Sequence, residues 1–275
     1  MSGPGQAVVT MAMNEWRIGR RNRWVLIGGA ALAVFALLLA MLGSTPGGSI
    51  KASETAIITV SLTTLCVYLV PLLALILAQD AIVGESERGT LILLLTYPLA
   101  RSSLLVGKFI GHFLILCAAL TIGLAAALAV VLLRGMPSAE DWMLLGRLWS
   151  SANLLGAAYL AGGYVISGIA RDRSDALALA FGFWIVTVVL YDVLLLILLS
   201  ADLMIDAFPW LLVLNPGDAF RLINLAGFEA VEMASGLAAA LPELPFPTAG
   251  LWAVLAGWLV LGLLLAHHLL QRREA

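Results

Sequence analysis

Three carboxylates, Asp80, Glu85 and Glu87, crowd into one short stretch, followed at once by Arg88, Gly89 and Thr90. No serine, cysteine or histidine stands at a spacing that would make them general acids or bases, so the chemistry open to them is ion pairing. Gly84 and Gly89 interrupt the acids, and the apolar run Leu91–Leu95 that follows is too short to cross a bilayer, which takes about 20 residues. Thr90 can cap a helix over Leu91–Thr96 that Pro98 stops. A short apolar helix lying along the membrane, with Glu85 and Glu87 before it and Arg101 and Lys108 after it, can insert into a groove of a soluble partner. The bland reading is a solvated loop.

Other chemistries find less support. Eight methionines, three histidines and two cysteines invite a soft-metal path, but His112 and Cys117 face different sides of a helix and the methionines are scattered. Cys66 and Cys117 sit within apolar stretches with no CxxC pairing, so no disulfide framework is expected. There is no HExxH, no nucleophile motif and no GxxxxGK[ST] phosphate loop, so this chain is not expected to hydrolyse ATP itself. Asp192 is the exception. It lies in an apolar run, where a charge costs about 2.5–3.5 kcal/mol, so it should face the bundle interior or a partner. It has a role in gating or across a dimer, or it is satisfied locally by Tyr191, Thr187 or backbone.

The elements that position these residues are membrane spans. Hydrophobic residues make up 62% of the chain and charged ones 12%, more apolar surface than a soluble domain can hide. Six stretches are long enough to cross a bilayer: 24–42, 56–78, 109–133, 148–170, 176–201 and 249–270. The fold class expected is an all-α polytopic membrane protein with six transmembrane helices, a single transmembrane domain over 1–275. Pro71 should bend the second span. Small residues four apart, such as Gly107/Gly111 and Gly163/Ser167, should let helices approach closely. Ala7–Trp24, with its arginines, reads as an interfacial helix whose cations lie near anionic headgroups.

Basic residues set the orientation. With the N-terminus inside, Arg17, Arg20, Arg21, Arg23, Arg88, Arg101, Lys108, Arg171, Arg173, Arg272 and Arg273 are cytoplasmic, against Lys51, Arg134, Arg147 and Arg221 outside. Both termini are then cytoplasmic, 80–108 is an inner loop, and 202–248 is the longest outer segment. A net charge of −2 without basic stripes argues against nucleic acid. The outer segment is acidic, with Arg221 its only cation. Asn215-Pro216-Gly217-Asp218 reads as a helix start, with Asn215 the cap and Pro216 the first helical residue. The segment reads as interfacial helices lying on the outer leaflet, either a docking platform for a periplasmic protein or a simple re-entrant cap.

The stretch Glu85-Ser86-Glu87-Arg88-Gly89-Thr90, followed by LILLLTYPLAR and by Gly107-Lys108, resembles the permeases of type-2 ABC transporters. NEWRIGRRNRW and the outer PWLLVLNPGDAFRLINLAGFE point to the branch that matures the copper centres of periplasmic nitrous oxide reductase. The resemblance covers nearly the whole chain. It implies a non-catalytic permease in a bacterial inner membrane, two copies of which join two copies of a cytosolic ATPase and a periplasmic β-helical protein. It places Asp80, Glu85, Glu87, Arg88, Gly89, Thr90 and Arg101 at the ATPase. Asn215, Pro216, Asp218, Arg221, Asn224 and Glu229 are expected at the periplasmic partner. No cofactor is expected on this chain. ATP and Mg belong to the ATPase, and copper or a sulfur species is possible cargo, beside mechanical work alone. Rival readings are a type-2 exporter of a lipid, drug or peptide, and an ion- or proton-coupled carrier using Asp192.

Overall fold

The computed structural model describes residues 4–20, 23–42, 54–89, 100–201, 208–225 and 247–272. Among these every regular element is helical. An amino-terminal helix, α1 (Pro4–Gly19), leads to α2 (Arg23–Leu42), α3 (Glu54–Ala78) and the short α4 (Val83–Glu87). Then come α5 (Arg101–Arg134), α6 (Ala139–Ile169) and α7 (Arg173–Trp184), which passes through a π-helical turn, Ile185–Leu190, into α8 (Tyr191–Ser200). Two short helices, α9 (Phe208–Leu214) and α10 (Pro216–Leu225), precede the last, α11 (Thr248–Arg272). Among the described residues five helical segments are long and apolar enough to span a membrane, and α2 adds a shorter apolar one over Leu26–Met41. The chain is an all-α, multi-pass membrane protein.

Helix ends differ from the hydropathy reading for definable reasons. The third span was placed at 109–133 because Lys108 ends its uncharged run, yet α5 continues back to Arg101 for 34 residues, about 50 Å. It exceeds the roughly 30 Å hydrocarbon core, and its excess length includes the polar first turns, Arg101–Lys108. The fourth span, expected from 148, begins at Ala139 because Ser138 caps it. Ser138 Oγ accepts from Asp141 N at 3.2 Å while Asp141 Oδ2 accepts from Ser138 N at 2.9 Å. Asp172 caps α7 by accepting from Asp175 N at 2.8 Å.

The most buried span is α6, and the span α7–α8 is the most exposed. Packing on α6 depends on small residues. A methyl group at Gly262 of α11 would stand 2.8 Å from Ala161 Cβ, and one at Gly163 would stand 2.5 Å from Ala78 Cβ of α3. The largest buried side chains, Tyr159 and Tyr164, also belong to α6. On the other side α1 lies against α5. A methyl at Gly107 would meet the Val8 carbonyl oxygen at 3.0 Å, and one at Gly111 would meet that of Ala12 at 2.8 Å. The amino-terminal helix is thus seated on a protein face.

Candidate functional site

Two charged clusters occupy opposite ends of the bundle. The first is built around Lys108, which α5 carries between the two glycines that admit α1. Its ammonium donates to Glu15 Oε1 of α1 at 2.6 Å and to Glu85 Oε1 of α4 at 3.0 Å. Glu15 Oε2 lies 3.3 Å from His112 Nε2, and Tyr164 O–H lies 2.8 Å from His112 Nδ1. With the Nε2 proton directed at the carboxylate, Nδ1 is left to accept the tyrosine proton. Lys108 is 5% exposed, and Glu15 and His112 are 7% exposed, so water competes little for these bonds. Burial alone would raise the Glu15 pKa, but the His112 hydrogen bond and the Lys108 charge overcome it and lower the carboxyl from 4.5 to about 2.

The acidic stretch is itself the short helix α4 rather than an interrupted loop. Gly84 is needed there, since a methyl at that position would overlap the Asp80 carboxylate. Gly89 ends the helix at φ +69°, the left-handed conformation that glycine adopts without strain. Ser167 Oγ of α6 accepts from the Ile82 and Val83 amides at 2.9 and 3.1 Å, fixing the entry to α4. Arg173, the first residue of α7, donates its amide to Glu87 Oε1 at 2.9 Å. Its Nε sits 2.8 Å from Asp80 Oδ1, a charge contact outside hydrogen-bond alignment, and 3.4 Å from Glu87 Oε2. Arg88 lies 3.7 Å from Asp80. Arg101 donates to the Leu270 and Gln271 carbonyls at 3.0 and 2.8 Å, closing the end of α11. Of the residues expected at the ATPase, Glu87, Arg88 and Gly89 are exposed, while Glu85 turns inward to Lys108. Thr90 and the expected helix Leu91–Thr96 lie outside the described residues.

The second cluster joins the most exposed span to the outer hairpin. Arg221 Nη1 of α10 donates to Asp192 Oδ2 of α8 at 2.7 Å and to Asp218 Oδ1 at 2.9 Å. Its guanidinium carbon lies 6.0 Å from the centre of the Tyr68 ring. Asn215 Oδ1 accepts from Gly217 N at 2.9 Å, which caps α10, and Asn215 Nδ2 donates to the Thr187 carbonyl at 2.7 Å. That carbonyl belongs to the π turn, where the regular bonding of the helix is broken. Asn224 Nδ2 donates to Ser151 Oγ of α6 at 2.8 Å. Burial and the neighbouring Asp192 push the Asp218 carboxyl up, against the pull of Arg221.

Asp218 is 2% exposed and Asn224 fully buried, and Asn215 and Pro216 are buried as well. These four, expected to face a periplasmic protein, instead bond to or pack on this chain's own helices, because each satisfies a polar group or fills a gap inside the fold. Arg221 is turned the same way, and Glu229 lies outside the described residues. Glu15 was missed by the sequence reading. Its signal was a lone acid in a basic helix, to be matched with a lysine flanked by glycines. Among the described residues no group of three or more His, Cys, Asp or Glu could hold a metal ion.

Long apolar helices with a charged joint at each end and a short acidic helix between spans are the architecture of a multi-pass membrane protein. The chain belongs to the ABC-2 transporter family: residues 9–275 match the model described as "ABC-2 family transporter protein". It is an ABC transporter permease subunit, a type that works with an ATPase subunit. Among its relatives is the "Probable ABC transporter permease protein NosY" of Stutzerimonas stutzeri, 44% identical over 97% of this chain and 98% of that protein. The protein of the same name from Pseudomonas aeruginosa is also 44% identical, over 97% and 98%.

Proposed function

We propose that this chain transmits the work of a cytosolic ATPase across a bacterial inner membrane to a periplasmic protein during copper-site assembly of nitrous oxide reductase. It does so as a homodimer with both termini cytoplasmic. One observation carries the reading: the span α7–α8 is ionically held at both ends. Arg173 ties its inner end to Asp80 and Glu87, and Asp192 ties its outer end to Arg221. Motion of the acidic helix α4 is thereby linked through one helical rod to α10. Glu87, Arg88 and Gly89 are the residues of this joint left open to the ATPase. The outer partner is met by surfaces that α10 displaces, since the side chains of its charged face point inward. Mechanical work is favoured over copper transfer, because among the described residues no group of three or more His, Cys, Asp or Glu could hold a metal ion.

Asp192 argues less well for an ion-coupled carrier, as its carboxylate is already engaged by Arg221. The test is to reconstitute the permease with its ATPase and compare Asp192→Asn and Arg173→Gln with the parent chain. Both variants should retain the ATPase on co-purification and hydrolyse ATP, yet fail to support maturation of the reductase in cells. Full maturation by both variants would refute the transmission reading.

A further inference from the structure

An apolar groove of about 370 Å³ opens between α1, α2 and α5, beside the inner joint, with Trp16 next to Glu15 along α1 and Ile115 one turn beyond His112 on α5. Its walls are small on both sides, Gly29, Ala30 and Ala33 on α2 facing Ala118 and Ala119 on α5, with Ile115 at one end and Ile122 at the other. Beside the groove the helices come into tight contact. Gly28 packs under Leu73 of α3, and Gly123 packs under Leu32, whose Cδ2 a methyl would meet at 2.9 Å. Gly29, by contrast, has room: a methyl there would lie 3.5 Å from Ala119 Cβ, an ordinary contact. From Ile115 to Ile122 the groove runs about 10 Å along α5, the length of part of an acyl chain.

Its mouth has a different chemistry. Trp16 and Arg20 of the amino-terminal helix line the end nearest the arginine-rich side. Arg20 is exposed, as is Arg17 one turn before it, and neither makes an ion pair among the described residues. An indole and a free guanidinium above an uncharged slot of small side chains complement one amphiphile, with a negative head and a hydrocarbon tail.

We infer that this groove is a binding site for a single anionic phospholipid of the leaflet bordering α1, its phosphate on Arg20 and one acyl chain between α2 and α5. Such a lipid bridges the amino-terminal helix to the first span and adds a third contact to the α1–α5 joint around Lys108. The free cation at the mouth favours this occupant over a second copy of the chain, which would have to bring a carboxylate to an otherwise apolar face.

The full-length chain, purified in mild detergent, is exchanged into phosphatidylcholine vesicles with and without phosphatidylglycerol, and retained lipid is counted by native mass spectrometry. Phosphatidylglycerol should be retained selectively, at one per chain. Arg20→Gln, on an exposed side chain, should cut that retention about fivefold and leave phosphatidylcholine binding unchanged. Ala33→Leu and, from the facing helix, Ala118→Leu should lower retention of both lipids. Added inorganic phosphate should displace neither. Equal retention by Arg20→Gln and the parent overturns the site, as does displacement by phosphate, unaltered binding in both filled-groove variants, or disulfide linkage of two chains through Ile122→Cys in membranes.

Discussion

Replacing Lys108 with methionine keeps the length and volume of the side chain and removes its charge. The ammonium now serves two carboxylates, at 2.6 Å and 3.0 Å, in a site from which water is nearly excluded. Removing one partner of a buried pair costs about 3–5 kcal/mol, because the remaining charge stays desolvated. The Glu15 carboxyl reflects only one of the two pairs. The Glu15 pKa falls from 4.5 to about 2, about 3 kcal/mol of net preference for the charged form, which His112 supplies first and Lys108 second against the cost of burial, so this figure is no separate measure of the Lys108 pair. Lys108→Met should therefore lower unfolding free energy by about 3 kcal/mol or more, measured by titrating the micelle-bound protein with a denaturing detergent and following tryptophan fluorescence. Adding Glu15→Gln should restore part of the loss, with a coupling of about 2 kcal/mol, since the buried charge is then gone. A single-variant loss below about 1 kcal/mol, or strict additivity, would refute the assignment of Lys108 as the joint's keystone.

The same joint predicts a pH dependence. Because the folded pKa of Glu15 lies below its unfolded value, its stabilisation is complete above pH 4.5 and disappears as pH falls from there through about 2. Glu15→Gln should flatten the stability profile in that window, read by the same titration. Gly111→Leu forces α1 off α5, since even a methyl meets the Ala12 carbonyl at 2.8 Å. It should cost about 1–3 kcal/mol and expose the amino-terminal helix to limited proteolysis. Arg221→Gln leaves Asp192 and Asp218 without their shared cation and should destabilise by about 3–5 kcal/mol, whereas Asp192→Asn should be milder, both measured in the same unfolding assay. Glu87→Lys should weaken ATPase co-purification with little change in stability. Glu85→Lys should do both, because it sets a second cation against Lys108.

The spans were legible because lipid demands a long uncharged run, and that demand is written in composition. Helix extents beyond lipid were not, since Arg101–Lys108 and Ala139–Arg147 are polar enough to read as loop and are helical through caps and partners. The acidic cluster was legible as a feature, but its use was not. Glu85 and Lys108 are 23 residues apart and Glu15 and Lys108 are 93 apart, so only the fold brings them together. Asp192 announced itself by its cost in an apolar helix, while its partner lay in a segment whose polarity suggested a free surface. Asn215 was readable as a cap because capping is local. Its second bond, to the Thr187 carbonyl, depends on a break in helical bonding that no residue type signals.

The π turn at Ile185–Leu190 sets the azimuth of everything after it. A wide turn accommodates about one residue more than an α-helical turn does, and each α-helical residue advances the helix by about 100°. Were the segment uniformly α-helical, Asp192 would be swung by about that angle around the axis and would point away from Arg221, with Arg173 still in place at the other end. The two anchors of this rod are engaged together because the widened turn absorbs the extra residue. Inserting one further residue there would act as a rotation at a distance and leave every charged side chain of both joints intact, whereas deleting one would let the turn close to α geometry with the phase kept.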